Sequence, residues 1–539
     1  MTVSRSWVAD LACAFALVLL VAIYVPAAID LSRLPEEDAA MLLRYSGHLA
    51  NGDGIVWNVG EKPVDGATDF LFMVMVAAVH KAGIGLERAA QGVGLVAHIA
   101  TVLVVFFSAR RQLGAPRGLA LLSAVFLALG PGLRHLAACY GTPLFTLACA
   151  ITFSLALLLA NAPPKTVGRS ALAFALAGLV AGLARPEGVF FAVFCLGASL
   201  LARQGGTARL IVGRFLAVFL TLGLAYFLWR FWYFGYPLPN PFYKKGAGLL
   251  YWHSLRQSWR NLFGLGLPFV AILLLGPFFR ATRRLALLTL IPVIAFVCLF
   301  VLISDETNYV MRFRYPVLPA ILIGWLAVWQ GAIAPRIARW PRAGHVFAAV
   351  VAIVGLASFQ HWRFQHVEPR RMGLYDAALV LREYSRYDYA LVTTEAGLLP
   401  LYSTWRSVDA WGLNDPFIAH HGGITSEYLD RYRPEVILLH AYFSPGTPEV
   451  GPRVENRSLG PAWYQMVMTL KHYAEQNGYT LAAVFGRNAY DTHYYYVRSG
   501  FARSREITDR IRALDYQWDG EPTIDFAATA PAPEVVRAP

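Results

Sequence analysis

Glu37 and Asp38 stand side by side in the chain, and Arg44 follows them two helical turns later. At helical spacing Glu37, Met41, Arg44 and His48 share one face, while Asp38, Leu42, Tyr45 and Leu49 form the stripe beside it. Two carboxylates beside a guanidinium can take a proton from a hydroxyl and steady an anion. The plain alternative is a solvated acidic cap on a loop. The stretch continues as GDGIVWNVGEKPVDGATDF, in which Trp57, Asn58, Glu61 and Asp65 offer ring and oxygen groups of the kind that grip sugars.

Four further sets stand out. Arg185-Pro186-Glu187 ends an apolar run, where a helix-end salt bridge is the simplest reading. YFGYPLPNPFYKKG has prolines to stiffen it, with Asn240, Tyr243 and a Lys244-Lys245 pair able to meet an anionic head group. ISDETNYVMRFRYPVLP sets Asp305 and Glu306 just ahead of Arg312 and Arg314, whose planar guanidinium groups suit phosphate oxygens. The last, TTEAGLLPLYSTWRSVDAWGLNDPFIAHH, gathers Glu395, Asp409, Asn414, Asp415, His420 and His421 around glycine turns. Adjacent histidines do not naturally converge on one ion, so a loop roofing a site is preferred to a metal centre here. There is no Walker A loop, nucleophile elbow or HExxH motif.

The elements that must position these residues are hydrophobic. Of 539 residues 57% are hydrophobic and only 15% charged, which places the chain among polytopic membrane proteins. A net charge of +13 raises nucleic acid as a partner, but the arginines sit in short breaks between apolar runs, so that partner is set aside. The five cysteines lie in or beside apolar segments without metal-ligand spacing, which argues against disulfides and against zinc.

Runs able to span lie near 7–29, 88–109, 118–134, 142–160, 169–184, 188–202, 213–231, 262–279, 285–303, 315–331 and 344–360, giving about eleven transmembrane helices. Breaks carrying Arg110, Arg111 and Arg117, Lys165 and Arg169, Arg203 to Arg214, Arg280 to Arg284 and Arg336 to Arg342 fall on alternate connections and are assigned to the cytoplasm. Parity then makes 70–79 an interfacial helix and puts the motif-bearing connections outside. The organisation expected is a transmembrane domain 1–361 with an external loop 30–87, an extracytoplasmic α/β domain 362–520 and a disordered tail 521–539. Within 362–520 the β-like stretches are YALVTT, PEVILLH, YTLAAVFG and HYYYVRSG, with a helix over 462–476.

Taken together, EDAAMLLRY with GDGIVWNVGEKPVDGATDFL, TPLF, ARPEG, PLPNPFYKK, SDETNYVMRFRYPVLP and VDAWGLNDPFIA resemble the GT-C superfamily of polyprenyl-phosphate-sugar-dependent glycosyltransferases, nearest to the bacterial terminal arabinofuranosyltransferase-like group. The resemblance implies a multi-pass protein of the cytoplasmic (inner) membrane with its active site and C-terminal domain extracytoplasmic. It implies inverting transfer of a sugar, such as D-arabinofuranose, from a polyprenyl-phosphate donor to a glycan, glycolipid or glycoprotein hydroxyl. Glu37 or Asp38 would be the base. Arg44, Lys244, Arg312 and Arg314 would face the donor phosphate, and Trp57, Asn58, Asp65, Asn240, Tyr243, Asp305 and Asp409 the sugar or acceptor. No cofactor beyond the lipid-linked donor is expected, and no obligatory metal, although a divalent ion is compatible. Two departures stand out: the position before Thr142, often Glu in such proteins, is Gly141, and Ile303-Ser304 stand where Gly-Gly is usual. The rival from another class is a transporter or flippase of lipid-linked sugars, which should carry its charges within the spans.

Overall fold

The computed structural model describes residues 5–203, 206–246, 250–303, 308–337, 342–364, 373–447, 460–518 and 520–528. Asp305 and Glu306 lie outside them. The chain divides into two compact units, and the division is not the one expected from the sequence. Met1–Arg33, Thr68–Pro237 and Gly248–Val367 form the first, and Leu34–Ala67, Leu238–Ala247 and Glu368–Pro539 form the second. The expected loop 30–87 is therefore split, and its motif-bearing part folds with the C-terminal region.

In the first unit every expected apolar run carries helix. Among the described residues seven helices are long and apolar enough to cross a membrane, or up to eight if a bent pair counts as one span. Glu187–Ala202 and Arg283–Leu299, at 16 and 17 residues, are shorter than those seven. The run expected at 262–279 is broken: Trp252–Gly266 and Phe269–Phe278 meet at 104°. Pro268, at the break, has no N–H to continue the ladder. Phe70–Lys81 is a 12-residue helix, about 18 Å long and too short to cross about 30 Å of hydrocarbon.

Apolar side chains face outward as a lipid-exposed bundle requires, with Phe15 and Ile23 on the first helix and Leu220 and Trp232 on Ala208–Phe234 well exposed. Inside, Phe126, Phe153, Phe174 and Phe191 are fully buried, and the Trp325 indole donates to Ser123 Oγ at 2.9 Å. Asp10, a carboxylate in the first helix, is sealed from solvent and paired with Arg110, Arg111 and Arg117 at 3.0, 2.9 and 2.8 Å. That arginine cluster thus neutralises a buried charge as well as marking a loop.

The second unit is a sheet between helices. Its strands are β1 (Ala390–Thr393), β2 (Arg406–Asp409), β3 (Val436–Ala441), β4 (Tyr479–Asn488), β5 (Asp491–Arg498), β6 (Gln517–Trp518), β7 (Glu521–Pro522) and β8 (Ile524–Asp525). The sheet order is β2-β1-β3-β5-β4-β8, with β6 and β7 a separate ribbon. β1 runs parallel to β2 and β3, while β5 is antiparallel to β3 and β4. Helices Gly373–Arg382 and Ser504–Arg512 cover one face through Leu381, Ile507 and Ile511. Gly460–Gln476 covers the other through Val467 and Leu470. Of the tail 521–539 expected to be disordered, 521–525 supplies β7 and β8, the latter hydrogen-bonded to β4 as an edge strand, and 529–539 lie outside the described residues.

Candidate active site

The helix Glu37–Asn51 forms as its spacing predicts and belongs to the second unit. Glu37 Oε2 accepts from the Gly397 and Leu398 amides at 2.8 and 3.1 Å. Gly397 is required there, because a Cβ would collide with the Glu37 carboxylate. Burial first, and then the Glu395 carboxylate, hold the Glu37 carboxyl well above the usual range, against the pull of those amides. Asp38 is half-buried on the adjoining stripe.

Arg44, expected at the donor phosphate, instead pins the second unit from within. Its Nε donates to Trp57 O at 2.8 Å, Nη1 to Pro400 O, and Nη2 to Trp405 O at 3.0 Å and Asn58 Oδ1 at 3.1 Å. The guanidinium also lies 4.8 Å from the Trp57 ring centre. Trp57 and Asn58, expected to grip a sugar, are buried and bonded to β2: Trp57 Nε1 reaches Ser407 O at 2.8 Å, and Asn58 bonds both the N–H and the C=O of Ser407. These three residues behave as an added rim to the sheet edge. Their polarity serves backbone groups that would otherwise be buried without partners.

A different group gathers around Asp409. Its carboxylate accepts from the amides of Trp411, Gly412 and Asn414 and from Asn414 Nδ2, all between 2.9 and 3.2 Å. Burial outweighs these donors and pushes the Asp409 carboxyl up to about 6. Asn414 Oδ1 in turn accepts from the Tyr45 hydroxyl at 3.0 Å. The segment carrying Asn240, Tyr243 and Lys244 lies here too, with Asn240 N on Asp65 O at 2.9 Å. Lys244 Nζ stands 4.4 Å from the Trp411 ring centre, and Tyr243 packs on His420 at 4.3 Å. Burial draws the Lys244 ammonium pKa down while Asp409 raises it. Asn240 Nδ2 is buried without a hydrogen-bond partner among the described residues. An ammonium on an indole face beside a carboxylate and an unspent amide can hold a hydroxylated or phosphorylated ligand. His421 turns away to stack on Phe417, so the adjacent histidines diverge.

In the first unit Arg312 and Arg314 part company. Arg314 is fully buried on Ser258 Oγ and Ser254 O, over the Phe300 ring. The guanidinium expected at the phosphate thus also packs within the first unit. Arg312 lies 4.3 Å from the Tyr140 ring centre, Tyr140 meets Tyr309 at 5.5 Å, and Arg134 and Arg33 each stand 5.8 Å from Tyr309. Three guanidinium groups thus converge on two tyrosines, and Arg134 Nε is buried with no hydrogen-bond partner among the described residues. Sequence reasoning missed Arg134 because it closes an apolar run. The signal was available, since it is a cation at the supposed external end of a span, as Arg312 is.

The Gly141 departure also has a structural counterpart. A Cβ on Gly141 would lie 2.6 Å from Asp69 Oδ2, so the Asp69 carboxylate occupies the space beside that position. Arg185 holds it at 2.5 Å and bonds Glu187 at 3.2 Å. Arg185 and Glu187 are thus more than a helix-end pair.

Comparison with solved structures gives the fold. ArnT from Cupriavidus metallidurans superposes with a TM-score of 0.59 at 14% identity, over 89% of this chain and 97% of that one. The oligosaccharyltransferase AglB from Archaeoglobus fulgidus reaches 0.52 at 11% identity, over 92% of this chain and 75% of the other. Arabinofuranosyltransferase AftD from Mycobacteria reaches 0.51 at 16% identity, over 94% of this chain but 42% of its own length. These neighbours are GT-C glycosyltransferases, and the chain shares their fold. Residues 359–499 match a domain family of unknown function, DUF8728. No curated protein sequence matches the chain.

Proposed function

We propose that the protein is an inverting glycosyltransferase that moves a sugar, D-arabinofuranose in the first instance, from a polyprenyl-phosphate donor to a hydroxyl of a cell-envelope glycan, glycolipid or glycoprotein. The observation that carries this reading is the convergence of Arg134, Arg312 and Arg33 on Tyr140 and Tyr309 in a chain with a GT-C fold. ArnT has been solved with undecaprenyl phosphate and AglB with a dolichol phosphate, which supports a lipid phosphate as a ligand of those cations.

Asp38 takes the acceptor hydroxyl proton, and the oxygen attacks the anomeric carbon. The bond from that carbon to the phosphate oxygen breaks on the opposite face, which inverts the centre. The lipid monophosphate leaves with its negative charge met by Arg134 and Arg312. Lys244 is proposed as a further phosphate cation, and Asn240, Tyr243, Asp65 and Asp409 as sugar or acceptor contacts. Glu37 is proposed to set the position of the helix that carries Asp38. The leaving group is a monophosphate, so guanidinium charge can serve where nucleotide sugars need a metal. Eleven spans, with the second unit outside the cytoplasmic membrane, complete the reading.

The test is transfer by purified protein from a panel of synthetic polyprenyl-phosphate sugars. Asp38→Asn should lower turnover about 10² to 10⁴-fold with the melting temperature unchanged, and Arg312→Ala or Arg134→Ala should raise the donor KM. Wild-type turnover in Asp38→Asn would remove it as the base. Inertness of the wild type toward every donor would overturn the reading.

A further inference from the structure

β3 and β5 pair with His440 directly opposite His493, and the chain leaving the adjacent strand β1 brings Glu395 to the same place. Glu395 Oε1 lies 2.8 Å from His440 Nδ1 and 3.8 Å from His493 Nε2. One ligand atom from each of the three lies within 4.8 Å of the others. His493 is 4% exposed, and its Nε2 has no hydrogen-bond partner among the described residues. The far nitrogen of each ring is held. His440 Nε2 bonds Asp491 Oδ1 at 2.7 Å, and His493 Nδ1 bonds the Tyr516 hydroxyl at 2.6 Å.

We propose that Glu395, His440 and His493 form a binding site for one divalent transition-metal ion, with zinc the fitting ion, in the second unit. Two imidazoles and a carboxylate leave one position for water, a donor set that zinc and its neighbours accept and magnesium does not favour. Donor atoms of a tetrahedral zinc site are separated by roughly 3.3 Å, as bond lengths of about 2.0 to 2.1 Å require. The 2.8 and 3.8 Å separations bracket that value. The ion would take the unpartnered His493 nitrogen and replace the proton between His440 and Glu395. Asp491 and Tyr516 then act as positioning residues that orient the rings, as partners of metal-bound histidines do. The ligands sit on or next to neighbouring strands, and the Trp518 ring stacks on His493 at 4.1 Å, so the cluster is rigid and roofed. The ion would tie β1, β3 and β5 together, and it is separate from the metal-free phosphate chemistry proposed above.

The alternative is an imidazolium clamped by two carboxylates with no ion. Full-length protein in detergent, stripped with a chelator, is dialysed separately against zinc, manganese and magnesium and its bound metal measured by plasma mass spectrometry. One zinc ion per chain and a raised melting temperature are expected, with no magnesium retained. Glu395→Gln and His493→Gln should each lose the ion and the thermal gain, and Asp491→Asn should weaken zinc binding about 10 to 100-fold. Glu395→Gln keeps shape and hydrogen bonding, so it serves if His493→Gln fails to fold. Zinc retention by the wild type no greater than by Glu395→Gln, or a thermal gain that survives in that variant, overturns the site and leaves the clamp.

Discussion

At Asp409 the fold gives a single carboxyl a measurable pH dependence. Buried at 1% exposure, it titrates near 6 instead of at its ordinary value of 3.8, so between those values the folded chain binds more protons than the unfolded one. Stability contributed by this group is therefore present below about pH 4 and falls as pH rises toward about 6, by up to roughly 3 kcal/mol. Asp409→Asn should flatten that part of a melting temperature against pH curve, and an unchanged slope would show that the carboxyl does not titrate there. The neighbouring acids show how far residue types alone could be read. The carboxylate pair was visible in the chain, but the hold on Glu37 was not. It depends on two amides at Gly397 and Leu398, 360 residues or more from Glu37. Asp69 was invisible as the carboxylate beside Gly141 for the same reason, since nothing in the local sequence reports what fills the space of a missing side chain.

Among elements, legibility followed period and length. The spans, the helix Glu37–Asn51 and strands β1, β3, β4 and β5 all announce themselves by apolar runs or helical spacing. β2 is four residues, RSVD, and β8 two, too short for any periodicity, and each exists only because a neighbouring strand offers it a ladder. The break at Pro268 was legible from residue type, but an uninterrupted apolar run hid it. Arg44 illustrates how an element's burial redefines a motif. As a phosphate ligand it would affect donor KM alone. As the pin between its helix, Trp57 and the carbonyls of Pro400 and Trp405, it should destabilise the fold when removed. Arg44→Met and Arg44→Lys should both lower stability by about 3 kcal/mol or more, because neither replaces a planar fork of donors to buried carbonyls. A thermal shift assay on both variants checks this, and an unchanged melting temperature with a raised donor KM would restore the phosphate role.

Over the whole molecule, the second unit is assembled from three separated stretches of chain: Leu34–Ala67, Leu238–Ala247 and Glu368–Pro539. Composition could not reveal this, because Leu34–Ala67 and Leu238–Ala247 read as ordinary polar connections, and only the tertiary partners of Arg44, Trp57 and Asn240 assign them. The C-terminal region 368–539 expressed alone should therefore be protease-sensitive and lack a cooperative melt, and fusing residues 34–67 to it should recover much of the protection. A fragment as resistant as the same region in the intact chain would show that the early stretch is dispensable. During synthesis, Arg44 is made 356 residues ahead of Pro400, whose carbonyl it holds. At roughly 5 to 20 residues per second the gap is about 20 to 70 s. Through that interval a segment bearing Trp57 and an unmet guanidinium must wait, unfolded or chaperoned, so maturation of the protein is timed by the arrival of its last third.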